Sequence, residues 1–234
     1  MDSSDIAVSS SGGISATASL TPGTYEVGGG DSDTSGDIGT WTFRLTVVKA
    51  SQTVTFTAPS GGNVNGSASL SPTASSGLTV ALSVDGTTTH DACSISGDAV
   101  RYMRAGSCII TANQAGNVDY LAATPVHKTI TVGMATTRVS LKLSATKVTY
   151  GDEQTELVSV TVFPQRSGTA PSGTVTIKTS ATTLWVITLS SGRGWCAMSH
   201  KKLKPGSYRL VAAYSGSKNF KSSISAKETL TIAK

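Results

Sequence analysis

Leu20-Thr-Pro-Gly-Thr-Tyr25, Met103-Arg-Ala-Gly-Ser-Cys108 and Leu203-Lys-Pro-Gly-Ser-Tyr208 are three copies of one motif in a chain of 234 residues. Each reads as an apolar plug, a spacer, Pro or Ala, Gly, a hydroxyl residue, and then Tyr or Cys opening a strand. The last two copies continue in parallel. Ile109-Ile-Thr-Ala-Asn-Gln-Ala-Gly-Asn-Val-Asp-Tyr120 runs beside Arg209-Leu-Val-Ala-Ala-Tyr-Ser-Gly-Ser-Lys-Asn-Phe220, so Gly106 to Tyr120 and Gly206 to Phe220 both span 14 residues. Repetition of this kind fixes the architecture before any single element does. A closing segment follows each copy, at 40–47, 126–132 and 227–232, with apolar and polar residues alternating. Alternation with period two means one face packed and one face wet. The motif suits a corner where the chain crosses between two packed sheets: Gly permits the sharp turn and Pro pre-sets it. The plug then caps the core, and the Tyr or Cys points back inside. Three copies with matching downstream strands argue against a generic Pro-Gly hairpin.

Composition agrees. Charged residues make up 14% of the chain, against roughly 25% in an average soluble domain. Gly, with 24 residues, and small hydroxyl or β-branched residues take their place, as short strands and tight turns require. No apolar stretch approaches the roughly 18 residues of a membrane span. The opening Met1-Asp-Ser-Ser-Asp5 is acidic and polar, unlike a secretory leader. The net charge of +5 hides two halves of opposite sign. Residues 1–100 carry nine acids against Arg44 and Lys49, whereas residues 101–234 carry 17 bases against five acids.

Residues 51–134 resemble a bacterial immunoglobulin-like repeat of long surface proteins. The matching text is Gln52-Thr-Val-Thr-Phe56, Gly66-Ser-Ala-Ser-Leu70, Ala74-Ser-Ser-Gly-Leu78, Ala92-Cys-Ser-Ile-Ser-Gly97 and the run from Ala105 to Tyr120. Residues 137–234 resemble a related repeat through Val148-Thr-Tyr-Gly151, Pro171-Ser-Gly-Thr-Val-Thr-Ile177, Leu203-Lys-Pro-Gly-Ser-Tyr208 and Tyr214-Ser-Gly216. The resemblance implies an all-β fold of tandem immunoglobulin-like antiparallel β-sandwiches, each of about seven strands, with the first module only partial. The boundaries expected are 1–50 for the last part of a truncated module, 51–134 for a complete sandwich and 135–234 for a basic one. The partial module implies that the natural protein extends upstream. The joints at 49–51 and 133–136 are short and lack a flexible Gly/Ser tract, which favours stiffness.

The function the resemblance implies is a non-catalytic extracellular rod or adhesion module of a multidomain bacterial surface protein, secreted or displayed, with neighbouring modules of a longer chain as partners. Two other readings stand beside it: an anionic-glycan or cell-wall-polymer binding module acting through the basic C-terminal sandwich, and a phage or virion decoration module.

Cys93 and Cys108 lie 15 residues apart, and Cys108 occupies the corner position of Tyr25 and Tyr208. The resemblance and the exported context it implies favour a disulfide, which at this loop length stabilises by about 3 kcal/mol. The alternative is two buried thiols. Cys196 is the odd one, read as a buried free thiol acting as a small apolar residue on an inward position of its strand, with intermolecular cross-linking as the alternative.

Catalytic signals are sparse. His90, His127 and His200 have no metal-ligand spacing, and no G-x-S-x-G, H-E-x-x-H, P-loop or C-x-x-C occurs. Asp31, Asp33 and Asp37 crowd one loop and read in two ways, as calcium ligands or as turn residues binding their own backbone. No bidentate Glu follows them, and no other cofactor is expected. Lys201, Lys202 and Lys204 concentrate the positive charge of the last module and offer a non-specific field to polyanions, anionic cell-wall polymer or polysaccharide foremost. Nucleic acid is disfavoured because no interleaved aromatics accompany the charge.

Overall fold

The computed structural model describes residues 5–16, 19–180 and 182–234. Two short 3-10 turns, Thr89–Asp91 and Glu153–Thr155, are described among them. Apart from such turns the regular structure is strand, as the hydroxyl-rich, β-branched composition dictates. The chain divides into two compact units: Met1–Phe56 with Pro72–Ala81 and Ala112–Val126, and Thr57–Ser71 with Leu82–Thr111 and His127–Lys234. The segment 51–134 contributes to both.

The N-terminal segment holds two hairpins, β1 (Ile6–Val8) with β2 (Ile14–Ala16) and β3 (Gly23–Ser32) with β4 (Ile38–Val47). The second hairpin is longer than the sequence implies. Its pairing runs unbroken from Gly23↔Val47 to Ser32↔Ile38, so Asp31, expected in the loop with Asp33 and Asp37, is strand. The glycine run allows this: a Cβ on Gly29 would come within 2.5 Å of the Trp41 ring, which therefore lies across the bare backbone. Tyr25 is buried, and Val27, Phe43 and Leu45 are half-buried, on the face that the pairs Tyr25↔Leu45 and Val27↔Phe43 share.

The middle segment contributes β5 (Val54–Thr55), β6 (Gly61–Asn63), β7 (Ser67–Ser69), β8 (Thr73–Ala74), β9 (Ala81–Val84), β10 (Cys93–Ser96), β11 (Ala99–Tyr102), β12 (Gly106–Asn113) and β13 (Val126–Gly133). They form sheets in the orders β10-β11-β7 and β6-β13-β12-β9, with β5 paired to β8. Val100, Cys108, Ile110 and Ile130 are fully buried. Each faces inward because alternate residues of a strand point to one side.

The C-terminal segment is a two-sheet sandwich of β14 (Thr137–Leu143), β15 (Lys147–Thr149), β16 (Leu157–Pro164), β17 (Gly173–Lys178), β18 (Thr183–Leu189), β19 (Arg193–Ala197), β20 (Gly206–Tyr214), β21 (Ser223–Ile224) and β22 (Glu228–Ala233). One sheet has the order β14-β16-β19 and the other β15-β22-β20-β17-β18, with β21 on the flank of β20. The inward rows of β14 and β16 bury Val139, Leu141, Val158, Val160 and Val162; those of the larger sheet bury Val175, Ile177, Leu210, Tyr214, Leu230 and Ile232.

The repeated motif builds the same corner wherever it ends in tyrosine. The Tyr25 hydroxyl donates to Thr21 O at 2.8 Å, and the Tyr208 hydroxyl donates to Lys204 O at 2.8 Å, four residues back in each case. In the middle copy the corner is held by the Cys93–Cys108 disulfide instead, its Cα atoms 5.6 Å apart. The plug differs there too. Leu203 is buried, but Met103 is 44% exposed, while Ala92 and Cys108 are fully buried at the same corner.

The downstream loops repeat to the level of single hydrogen bonds. Ala50 N donates to Asp119 O and Leu121 N to Ala50 O; Ala135 N donates to Asn219 O and Lys221 N to Ala135 O. Each joint residue therefore forms a parallel bridge with the aromatic that ends the 14-residue run, Ala50 with Tyr120 and Ala135 with Phe220. The turn preceding each aromatic needs glycine. Gly116 (φ 78°) and Gly216 (φ 90°) are left-handed, and a Cβ would meet Tyr120 O at 2.4 Å and Phe220 O at 2.9 Å. Gly116→Ala and Gly216→Ala are each expected to cost about 1–3 kcal/mol in urea unfolding. Gly36→Ala, at φ 89° with open space around it, should cost less. An equal loss at Gly36 would mean that φ alone, and not the close approach, fixes glycine in the repeats.

Candidate functional site

His127, on β13, meets polar side chains from β12 and from the turn that follows β9. Its Nδ1 lies 2.9 Å from Thr111 Oγ1 and 3.7 Å from Asp85 Oδ2. Hydrogen bonds from the Thr87 hydroxyl and N–H hold the Asp85 carboxyl below the usual carboxylate range. Thr, His and Asp are the residue types of a nucleophile relay, but such a relay needs the hydroxyl and the carboxylate on opposite ring nitrogens. Both contact Nδ1 here. The group is an exposed cross-strand polar cluster, in line with the outward position its strand register gives His127.

Asp33 accepts from the backbone N–H of Ser35 at 2.8 Å and of Asp37 at 3.0 Å. The Asp37 and Ser35 donors hold its carboxyl below the ordinary range. This is the geometry of an aspartate turn closing its own loop. Asp31 lies within β3, paired with Gly39, apart from that loop. Among the described residues no group of three or more His, Cys, Asp or Glu side chains is gathered closely enough to hold a metal ion.

The three lysines of the basic corner are all exposed, and two of them also lie against aromatic rings. Lys201 Nζ sits 5.9 Å from the Tyr150 ring and Lys202 Nζ 5.7 Å from the Trp185 ring, while the Lys202 ammonium also donates to Leu184 O. Lys204 enters the corner through its carbonyl. Lys201 takes a left-handed conformation (φ 52°), and its N–H reaches Glu153 Oε2 at 3.2 Å. Burial pushes the Glu153 carboxyl up, but its own N–H and those of Lys201 and Gly151 outweigh burial and hold it below the ordinary range. This segment is thus anchored by intramolecular contacts. Cys196 is half-buried on β19, and burial pushes its thiol up.

The outward face of β14, β16 and β19 carries a grouping that sequence reasoning missed. Trp195 is 69% exposed, opposite Ser159 in the β16–β19 register, with Lys142 opposite Ser159 on β14. One row along, Arg193 pairs with Thr161 and Thr161 with Ser140. A groove of about 560 Å³ runs here, lined by Trp195, Arg193, Ser159, Thr161, Thr188 and Ser190 among others. Gly194 draws the edge strand close, since a Cβ would come 2.5 Å from Ile187 Cγ2 and 2.7 Å from Thr188 O. The signal was available: if Cys196 faces inward, Trp195 and Ala197 on either side must face out.

Residues 141–233 match the family model of the bacterial Ig-like domain (group 3), so the resemblance read from the C-terminal repeat is shown for that segment. Among solved structures the chain is similar to immunoglobulin domains 1–5 of Sidekick-1, at 16% identity and a TM-score of 0.37, covering 97% of this chain and 49% of that one. It is also similar to the fibronectin(III)-like modules of Clostridium thermocellum CbhA, at 10% identity and a TM-score of 0.32, covering 77% and 94%. A third similarity is to Drosophila N-cadherin EC1-4, at 12% identity and a TM-score of 0.29, covering 97% and 64%. The chain spans about half the length of the Sidekick-1 structure. No curated protein matches it. No helix among the described residues is long and apolar enough to cross a membrane.

Proposed function

We propose that the chain is a non-catalytic extracellular spacer or adhesion segment of a multidomain bacterial surface protein, in which Ig-like modules with boundaries near 50 and 134 follow one another through short, hydrogen-bonded joints. The observation that carries this reading is the repeated joint, Ala50 against Tyr120 and Ala135 against Phe220. A connector whose N–H and C=O are both bonded to a neighbouring loop loses the freedom of a tether. The second joint is braced further from both sides. Asn65 Nδ2 donates to Thr169 O at 3.0 Å, Asn65 Oδ1 accepts from Thr169 N at 2.9 Å, and Ala105 N donates to Asn219 Oδ1 at 3.0 Å. Each bond is modest, about 1 kcal/mol, but several acting on one short joint restrict its rotation. The disulfide supports an exported setting, since such bonds persist in oxidising compartments.

Residual dipolar couplings test the joint. Couplings from residues on the two sides of 133–137 are expected to fit one alignment tensor, and the double change Asn65→Ala with Asn219→Ala to require two. Independent tensors in the unaltered protein would remove the spacer reading.

A further inference from the structure

We infer that the Trp195 face of the C-terminal sandwich is a binding site for an acidic polysaccharide built from carboxylate-bearing pyranose rings. This goes beyond the spacer reading and does not depend on it: the joint can be stiff with or without a ligand on this face.

The chemistry needed to hold such a chain in water is specific. A pyranose presents a face of C–H groups, which an exposed flat aromatic covers while its edges stay wet. Trp195 is the most exposed aromatic on this face. It is surrounded by groups that both donate and accept, the hydroxyls of Ser159, Thr161, Thr188 and Ser190, which match ring hydroxyls in a way that an apolar protein surface would not. A carboxylate on the ring needs a cation without a competing acid. Arg193 stands two residues along the strand and Lys142 two strands across, in the row of Trp195. Arginine's planar fork matches a carboxylate. The strand positions on this face carry no acid, and among the described residues the only ion pairs are Arg44–Glu26 and His127–Asp85. Leu157 and Ala197, paired in the next row and both exposed, continue the apolar strip beyond Trp195.

Two other basic places in this module fit less well. At the corner, Lys201 and Lys202 already lie over Tyr150 and Trp185. A groove at Tyr208, Arg209 and Lys227 has a half-buried ring whose hydroxyl is committed to Lys204 O. Neither offers a free aromatic face beside its charge.

The test is binding of the full chain to polygalacturonate, followed by affinity electrophoresis and by tryptophan fluorescence, with neutral dextran and inorganic polyphosphate as comparison ligands. Trp195→Ala is the main variant, and Trp195→Phe keeps a smaller ring; both sit on an exposed position. Trp195→Ala is expected to weaken polygalacturonate binding about tenfold or more, the scale of a buried tryptophan anchor, with Trp195→Phe in between. Arg193→Gln with Lys142→Gln should weaken it similarly. Arg209→Gln with Lys227→Gln, and the triple change Lys201→Gln, Lys202→Gln, Lys204→Gln, should change it about twofold or less. Polyphosphate, charged but ringless, should bind weakly and ignore Trp195→Ala.

The assignment is overturned if Trp195→Ala leaves polygalacturonate binding unchanged, or if all three charge variants weaken it equally. Dextran binding as tight as polygalacturonate would also overturn it, as would a concentration-dependent dimer in sedimentation that Trp195→Ala abolishes. None of these outcomes alters the dipolar-coupling result, so the two readings fail separately.

Discussion

Phe220→Ala is expected to lower the stability of its unit by about 3–5 kcal/mol, the range for emptying a buried aromatic site. Phe220 is 2% exposed, and its backbone ties the joint: Phe220 O accepts from Ser217 N at 2.9 Å, and its neighbours Asn219 and Lys221 exchange hydrogen bonds with Ala135. Removing the ring leaves a cavity that the surrounding sandwich can only partly collapse into. The matching change Tyr120→Ala should cost less, because Tyr120 is half-buried although its loop makes the same bonds, Asn117 N to Tyr120 O at 3.1 Å among them. Urea unfolding of both variants measures the difference. Equal losses would show that the shared hydrogen bonds, and not ring burial, set the worth of the position.

Replacing Cys93 and Cys108 together with Ala is expected to cost about 3 kcal/mol, the loop-closure value for a 15-residue separation. The two alanines keep the site apolar, so the loss isolates the cross-link from any buried hydroxyl. Mass spectrometry of the oxidised protein should find Cys93 joined to Cys108 and Cys196 free. Cys196 should react slowly with alkylating reagents at neutral pH, since burial pushes its thiol up and the thiolate is the reactive form. Stability unchanged in the double variant would mean that the corner is held by the hydrogen bonds of Met103 N and Arg104 N to Ala92 O without need of the bridge.

These two expectations bear on one design. The three corners solve the same problem, closing a strand back onto the core, with a tyrosine hydroxyl in two copies and a covalent bond in the third. The positions are equivalent in sequence, but the means are not. Where the tyrosine is used, the cost of losing it is a hydrogen bond and the burial of a ring, nearly whole at Tyr25 and partial at Tyr208; where the disulfide is used, the unfolded chain itself is constrained.

Much of this was legible in the residues alone. Alternation in 126–132 and 227–232 and the turn chemistry of the Gly-rich corners are set by each residue's near neighbours, so the closing strands, both tyrosine corners and the Asp33 turn could be read from the chain. The corner position of Cys108 was legible from the repeated motif, whereas its pairing with Cys93 was favoured only through the family resemblance, with two buried thiols as the alternative, until the structure showed the bond. What only the tertiary structure decided lies between residues far apart in sequence. Lys202 meets Trp185 across two elements, Asn65 reaches Thr169 over 104 residues, and Thr111, His127 and Asp85 come together from two strands and the turn after a third. Each depends on strand register, which the summed packing of two sheets fixes and no local pattern states. For the same reason the lysines at 201, 202 and 204 read as an open basic patch in one dimension, while the folded chain turns two of them onto aromatic rings and leaves Arg193 and Lys142 beside Trp195.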